Sequence, residues 1–263
     1  MYGGMCTGAW ATGIMSLANT APSFNIKLGP GFIMNESLIQ RARNVNVIQF
    51  LDSDCEYLMF IDADIGFEAR QVLELVLAHK LTGQRLIGGN YPQKTIVWES
   101  ALRAASHGVK PQFLGHCAGR HVVQPFSKTE NSARLHDLYP VNYLGTGFML
   151  IHRSLIEDMK TICEPFKANN APPDFKTLRD FWLFFDCKLD ANKIYLSEDY
   201  FFCANAIKLG VVPQMAMWIN LAHYGTYPFE GCFMCTQGAY PHAKAIMTPE
   251  GYENYRKTPK DTL

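Results

Sequence analysis

The sequence predicts an α/β protein, with a mostly parallel sheet flanked by helices and a smaller irregular region beside it. A wholly apolar run, Tyr57-Leu58-Met59-Phe60-Ile61, stops abruptly at Asp62, as a buried strand does where its carboxyl end meets something polar. Stretches of helical apolar spacing lie on either side of that run and alternate with further short apolar runs across short connections. The length of 263 residues suits one domain of this kind.

Taken in chain order, Asn35 is placed to cap a helix beginning Glu36-Ser37-Leu38, whose apolar face is Leu38, Ile39, Ala42, Val45 and Ile48. The strand at 57–61 follows. Phe67 to Lys80 has helical spacing through Val72, Leu73, Leu75 and Val76, and Arg85 to Gly89 reads as the next strand. From Asn90 to Val141 the pattern weakens, leaving short extended pieces at 112–114 and 121–123. Tyr143 to Ile151 resumes as strand and loop, Ser154 to Ile162 as helix and Ser197 to Leu209 as a stronger helix. Beyond Gly210 the reading is loops and short strands, closed by Pro249 to Lys257.

Composition narrows the function classes. Charged residues are 18%, below the roughly 25% of an average domain, and 17 Phe, 12 Tyr and 4 Trp supply large buried surfaces, which excludes a disordered or fibrous chain. Lys+Arg and Asp+Glu both number 24, so binding of polyanions by overall charge is not expected. No apolar run approaches the ~18 residues of a membrane span, and no Lys or Arg precedes Lys27 to make the basic start of a signal peptide. The expectation is a soluble, cytoplasmic protein. The 8 cysteines are mostly scattered singly and are expected as reduced thiols. Cys232-Phe-Met-Cys235, with His223 and His242 nearby, is the one zinc-like spacing, but it lacks the second close pair that a structural site usually has, so ordinary thiols are the favoured reading.

The chemistry concentrates at Asp62-Ala63-Asp64. In an extended chain, positions i and i+2 face the same side, which would point both carboxylates into the space beyond the strand end, where open α/β sheets bind ligands. Two carboxylates held together call for a cation, and oxygen ligands suit Mg²⁺ or Mn²⁺. The plainer alternative is that both acids cap the turn into the next helix.

Further motifs follow in a set order: Tyr2-Gly3-Gly4, Asn35-Glu36-Ser37 with Ala42-Arg43-Asn44, FIDADI, GGNYPQK, GTGFMLI, SEDYFF and LAHYG. Together, from Tyr2 to about Tyr227, they resemble GT-A glycosyltransferases, close to the family 2-like enzymes of phages and large DNA viruses. The resemblance implies a Rossmann-like single domain over 1–263, with a nucleotide-binding half at 1–90, an acceptor and catalytic half at 91–230 and a tail at 231–263. It implies a nucleotide-sugar donor, most simply a UDP-sugar, whose diphosphate is bridged to the protein by Mn²⁺ or Mg²⁺. Asp64 would ligate the metal, Asp62 would contact the ribose or a metal-bound water, and His223 would be a further ligand. Tyr2 and Gly3 would lie at the nucleotide, Arg43 and Asn44 would hold the phosphate or the nucleotide loop, and Gly145, Thr146 and Gly147 would admit donor sugar and acceptor. The family places a buried strand ahead of the Tyr-Gly-Gly loop, whereas this sequence starts at Met1.

Glu198 and Asp199 resemble the acidic motif at which inverting GT-A enzymes carry the catalytic base. Asp199 is the expected base and Glu198 its support. Acids after Ser197 also suit a helix amino terminus, which would stabilise them as anions. The acceptor hydroxyl is expected on a hydroxymethylated pyrimidine of DNA, or on a glycan or protein. Between Lys94 and Arg134, six bases (Lys94, Arg103, Lys110, Arg120, Lys128, Arg134) face Glu99 and Glu130, a surface fit to guide an anionic acceptor or simply a solvated loop. The rival readings are a sugar-nucleotide nucleotidyltransferase, which would want a basic residue in the amino-terminal glycine loop, and a non-catalytic nucleotide-sugar-binding module.

Overall fold

The structure is a computed structural model that describes residues 4–125, 138–167 and 181–238. Its first half runs α1 (Gly8–Thr20), α2 (Ile39–Leu51), β1 (Tyr57–Ile61), β2 (Ile65–Gly66), α3 (Ala69–Thr82), β3 (Leu86–Asn90), α4 (Trp98–Ser106) and α5 (Leu114–Cys117). Next come β4 (Val123–Pro125), β5 (Leu138–Leu144), β6 (Phe148–His152), α6 (Arg153–Met159), and the short strands β7 (Pro165–Phe166), β8 (Phe181–Trp182), β9 (Lys188–Leu189) and β10 (Tyr195–Leu196). The described chain ends with α7 (Glu198–Lys208), β11 (Gln214–Asn220), β12 (Ala222–Tyr224), β13 (Pro228–Phe229) and α8 (Phe233–Thr236).

The α/β class holds, with helices on both faces of one six-stranded sheet. One face is packed by α1 and α3, through Trp10, Leu17, Leu75 and Val76; the other by α2, α6 and α7, through Val47, Phe50, Leu155, Ile156 and Phe202. Residues Met149 and Ile151 of β6 turn to the second layer while Phe148 and Leu150 turn to the first, which is why that strand reads as an unbroken apolar run.

The expected mostly parallel sheet is not what forms. The strand order is β1-β6-β3-β11-β5-β4, and β3 with β11 is its one parallel pair; β6 runs antiparallel between β1 and β3, and β5 runs antiparallel to both β11 and β4. A five-residue run buried on both faces looks the same whichever way its neighbours point, so apolar pattern carries no information on direction.

Other differences have local causes. Asn35 sits in the left-handed region at φ 57, so the predicted cap is a turn residue, and α2 starts only at Ile39 after Leu38. The Glu36 carboxylate instead accepts from Leu38 N at 2.9 Å and pairs with Arg41 at 2.6 Å. The stretch expected to be extended at 112–114 is a helical turn, started by Pro111 in the first position, which its fixed φ favours. Helix α1 was not expected, although Thr7 caps it by accepting from Trp10 N at 3.2 Å. Helix α4 and the seven-residue β11, placed in the irregular middle and tail by sequence, are likewise regular elements. The predicted closing segment at 249–257 lies outside the described residues. Among the described residues, no helix is long and apolar enough to cross a membrane.

Candidate functional site

The sequence around Asp62 builds the site. Instead of continuing extended, the chain turns at Ala63-Asp64, with Ile65 N donating to the Asp62 carbonyl at 2.9 Å. The i, i+2 argument for two parallel carboxylates therefore fails, and each acid finds its own partners. Helix α1 braces this turn from outside: Thr7 N donates to the Ala63 carbonyl at 2.9 Å, and Trp10 Nε1 to the Ile61 carbonyl at 3.3 Å.

Asp64 faces β12. Strand β12 pairs antiparallel with β2, His223 opposite Ile65 and Ala222 opposite Gly66, and Tyr224 N donates to the Asp64 carbonyl at 2.7 Å. Gly66 is needed here because a Cβ would lie 2.6 Å from the Tyr224 ring. This register brings His223 Nε2 to 3.4 Å from Asp64 Oδ2, and Lys94 Nζ meets the same oxygen at 2.6 Å. His223 Nδ1 lies 2.9 Å from the Pro92 carbonyl, which only an N–H can satisfy, and this bond aims Nε2 at Asp64. Burial alone would raise the Asp64 carboxyl, but His223 and Lys94 outweigh it and hold the group down to about 2.

Asp62 faces α2. Arg43 Nη2 lies 2.7 Å from Asp62 Oδ1 and 3.0 Å from Oδ2, so the carboxylate expected at a metal or ribose is engaged by a buried guanidinium. Arg43 is only 6% exposed, stands 5.0 Å over the Phe60 ring, and keeps a buried Nε with no partner among the described residues. Burial would lower its pKa; the fields of Asp62 and then Glu198 reverse that and keep the charge in place. Asn44, on the next position, is turned away. Its amide donates to the Phe185 carbonyl at 2.8 Å and accepts from Phe185 N at 3.0 Å, fixing a ring that stacks on Phe202 of α7 at 4.5 Å.

The Gly145-Thr146-Gly147 turn is tied to the same place. Asp62 N donates to the Gly147 carbonyl at 3.0 Å, and Gly147 N donates to Tyr91 Oη at 3.0 Å. Both glycines are required by Tyr91: a Cβ on Gly145 would sit 2.0 Å from its hydroxyl, and one on Gly147 2.8 Å from its ring. The close approach at this turn is therefore made by a buried tyrosine, and Thr146 is itself 2% exposed.

Helix α7 delivers the second acid pair. Ser197 occupies the N-cap position, but its hydroxyl donates to Asp199 Oδ1, which also accepts from Tyr200 N at 2.9 Å. Tyr200 stacks on Tyr143 at 4.3 Å, holding the start of α7 against the end of β5. Burial pushes the carboxyls of both Glu198 and Asp199 up from their ordinary values, with mutual repulsion adding to Glu198 and Ser197 opposing at Asp199. The helix amino terminus does not win against burial here, contrary to the expectation of stabilised anions.

No family model matches the chain. No curated protein matches it. Among solved structures the chain is similar to A197 from STIV, at 14% identity and a TM-score of 0.44, over 84% of this chain and 81% of that one.

Of the residues singled out by sequence, Arg43, Asp62, Asp64, Gly147, Glu198, Asp199 and His223 are linked through contacts or fields in one region, whereas Asn44 serves packing. Tyr2 and Gly3 lie outside the described residues, as do Lys128 and Arg134 of the basic segment and His242 of the zinc-like spacing. Cys232 and Cys235 are buried with Cys117 and Ala104 in a small apolar cluster. The sequence assigns no site role to Tyr91, Thr7 or Trp10, and it counts Lys94 among the bases of the acceptor-side segment, whereas Lys94 pairs with Asp64. Lys94 and Tyr91 belong to the GGNYPQK motif, whose spacing does not by itself say which side chain reaches the acid turn.

Proposed function

We propose that the chain is a metal-dependent glycosyltransferase that moves a sugar from a nucleotide-sugar to a hydroxyl acceptor. The observation carrying this reading is the convergence on Asp64 Oδ2 of His223 Nε2 at 3.4 Å and Lys94 Nζ at 2.6 Å, a short distance along the chain from the Arg43–Asp62 pair that couples electrostatically to Glu198.

The residues fit a divalent cation. Asp64 stays ionised under all ordinary conditions, the Nδ1 bond to Pro92 aims the ligand nitrogen of His223, and a mixed carboxylate and imidazole set suits Mn²⁺ better than Mg²⁺. When bound, such an ion would neutralise a leaving diphosphate. Lys94 would then exchange Asp64 for a phosphate oxygen, a cation already next to the carboxylate the metal needs. Arg43 would hold the Asp62 carboxylate in place beside the donor through its 2.7 Å contact.

Asp199 supports the role of base. Its carboxyl is raised by burial towards the range in which a group both ionises and takes up a proton during turnover, and Ser197 and Tyr200 fix Oδ1, so that Oδ2 would take the proton of an acceptor hydroxyl. Donor, acceptor and stereochemical outcome follow the resemblance: a UDP-sugar, an alcohol on modified DNA or a glycan, and inversion. The test is incubation with a panel of UDP-sugars and Mn²⁺, following release of UDP. Hydrolysis or transfer that is lost in Asp64→Asn supports the reading; no turnover of any nucleotide-sugar, with nucleotide still bound, would favour a binding module.

A further inference from the structure

The end of β1 opposite Asp62 carries a second constellation. Glu56 immediately precedes the strand, His152 closes β6 directly opposite Tyr57, and His79 lies in the last turn of α3. One ligand atom from each of the three falls within 4.8 Å of the others, and His152 Nε2 is 3.6 Å from Glu56 Oε1. A tetrahedral ion with bonds of about 2.0–2.2 Å separates neighbouring ligand atoms by roughly 3.3 Å, so one edge of the polyhedron is nearly formed.

The surroundings orient these rings as ligands. His79 Nδ1 is 2.8 Å from the Gln84 carbonyl, so it carries the hydrogen and leaves Nε2 as the lone-pair nitrogen of the neutral ring. His152 Nδ1 accepts from Ser154 N at 3.3 Å and lies 2.8 Å from Ser154 Oγ; turning an Nδ1–H to that hydroxyl, at the expense of the bond from Ser154 N, would give the same tautomer when an ion binds. The two imidazoles stack at 4.5 Å with 12° between planes, and the Tyr57 ring meets both edge-on at 5.2 and 5.5 Å. An ion must lie near the plane of each ring it joins, so ligation turns the imidazoles out of their parallel stack.

We infer that Glu56, His79 and His152 form a zinc site with water in the fourth position. Two imidazoles and one carboxylate are a donor set for Zn²⁺, whereas Mg²⁺ takes oxygen almost throughout. The ion joins the start of β1, the end of β6 and the carboxyl end of α3, and so pins this edge of the sheet. The five residues of β1 separate it from the Asp62 turn, and the inference is independent of the glycosyltransferase reading.

The experiment is Zn²⁺ titration calorimetry on chelator-treated full-length protein, with a Co²⁺ absorption spectrum and a melting curve for each variant. Asp64→Asn, which removes the other proposed cation site, should still bind one Zn²⁺ with a raised melting temperature, and wild type should bind at least one. Glu56→Gln, at a side chain 62% exposed and so safe for folding, should weaken binding by about tenfold or more, and His79→Gln further. The Co²⁺ spectrum should show ligand-field bands without sulfur-to-metal charge transfer. Unchanged affinity in Glu56→Gln and His79→Gln, loss of binding in Asp64→Asn, or a thiolate charge-transfer band pointing to Cys117, Cys232 and Cys235 would each overturn the assignment.

Discussion

Arg43 and Asp62 form a pair at 2.7 Å in which the guanidinium is nearly buried, at 7% side-chain exposure, while the carboxylate is 35% exposed. The asymmetry matters: the arginine has no water to fall back on, so Asp62 is its main compensation, and the field of Glu198 adds to it. Through this side chain, and through direct repulsion between Asp62 and Glu198, the acid turn after β1 and the acids opening α7 are electrically connected.

Replacing that arginine should therefore cost more than a surface ion pair. Arg43→Ala is expected to lose roughly 3 kcal/mol of stability in urea denaturation, the lower end for breaking a buried pair because Asp62 retains some water. A double-mutant cycle with Asp62→Asn should recover part of the loss. Strict additivity of the two changes, within about 0.5 kcal/mol, would mean that the pair is not coupled.

Asp199→Asn keeps size and hydrogen bonding but removes the proton acceptor. Transfer is expected to fall by ~10²-fold or more while donor and metal binding persist. The pH profile gives an independent check. Burial raises the Asp199 carboxyl above its ordinary value, so the neutral form is favoured in the folded protein, and activity should rise with pH through a limb lying above the usual carboxylate range. The same shift works against stability: as pH rises from the unfolded pKa to the folded one, this group lowers the stability of the fold. A wild-type rate in Asp199→Asn would put the base elsewhere and leave Ser197-Glu198-Asp199 as a helix start.

Gly145→Ala places a Cβ 2.0 Å from the Tyr91 hydroxyl. Thermal unfolding should register a loss on the order of 1–3 kcal/mol from overpacking. In the Tyr91→Phe background, which itself loses the bond from Gly147 N, Gly145→Ala should cost less, because the nearest clash is with the oxygen; an equal cost would place the strain at Val122 or the remaining ring.

The Asp64 carboxyl, held at about 2 by His223 and Lys94, contributes stability that is complete above the unfolded value of about 3.9 and is lost as pH falls towards the folded one. Acid titration of Asp64→Asn against wild type should show the two stability curves converging over that interval. Parallel curves down to pH ~2 would show that the ion pairs at Asp64 exert no net pull.

The acid turn was legible because a strand of five apolar residues ending at Asp62 is an unusual local pattern, and α7 because its apolar face and opening acids agree. What was not legible depends on closure of the fold. Lys94 reaches Asp64 only after β3 has passed through the sheet centre, and His223 only through the pairing of β12 with two-residue β2. Helix α1 escaped notice because Trp10, Gly13 and Leu17 make a thin apolar stripe among small residues, without charges to mark the exposed face. Strand direction is not legible because β6, buried on both faces, carries no alternation by which an antiparallel neighbour could be told from a parallel one.

The central claim is that Asp64 and His223 hold a divalent ion at a nucleotide site. Titration calorimetry of UDP into the full chain, with Mn²⁺ or with excess chelator, tests it most directly. Binding should require Mn²⁺ in wild type and weaken by at least about tenfold in both Asp64→Asn and His223→Gln, since removal of a metal ligand costs more than the 10–100-fold typical of its outer partners. Equal UDP affinity with and without the ion, unchanged in either variant, would contradict the account.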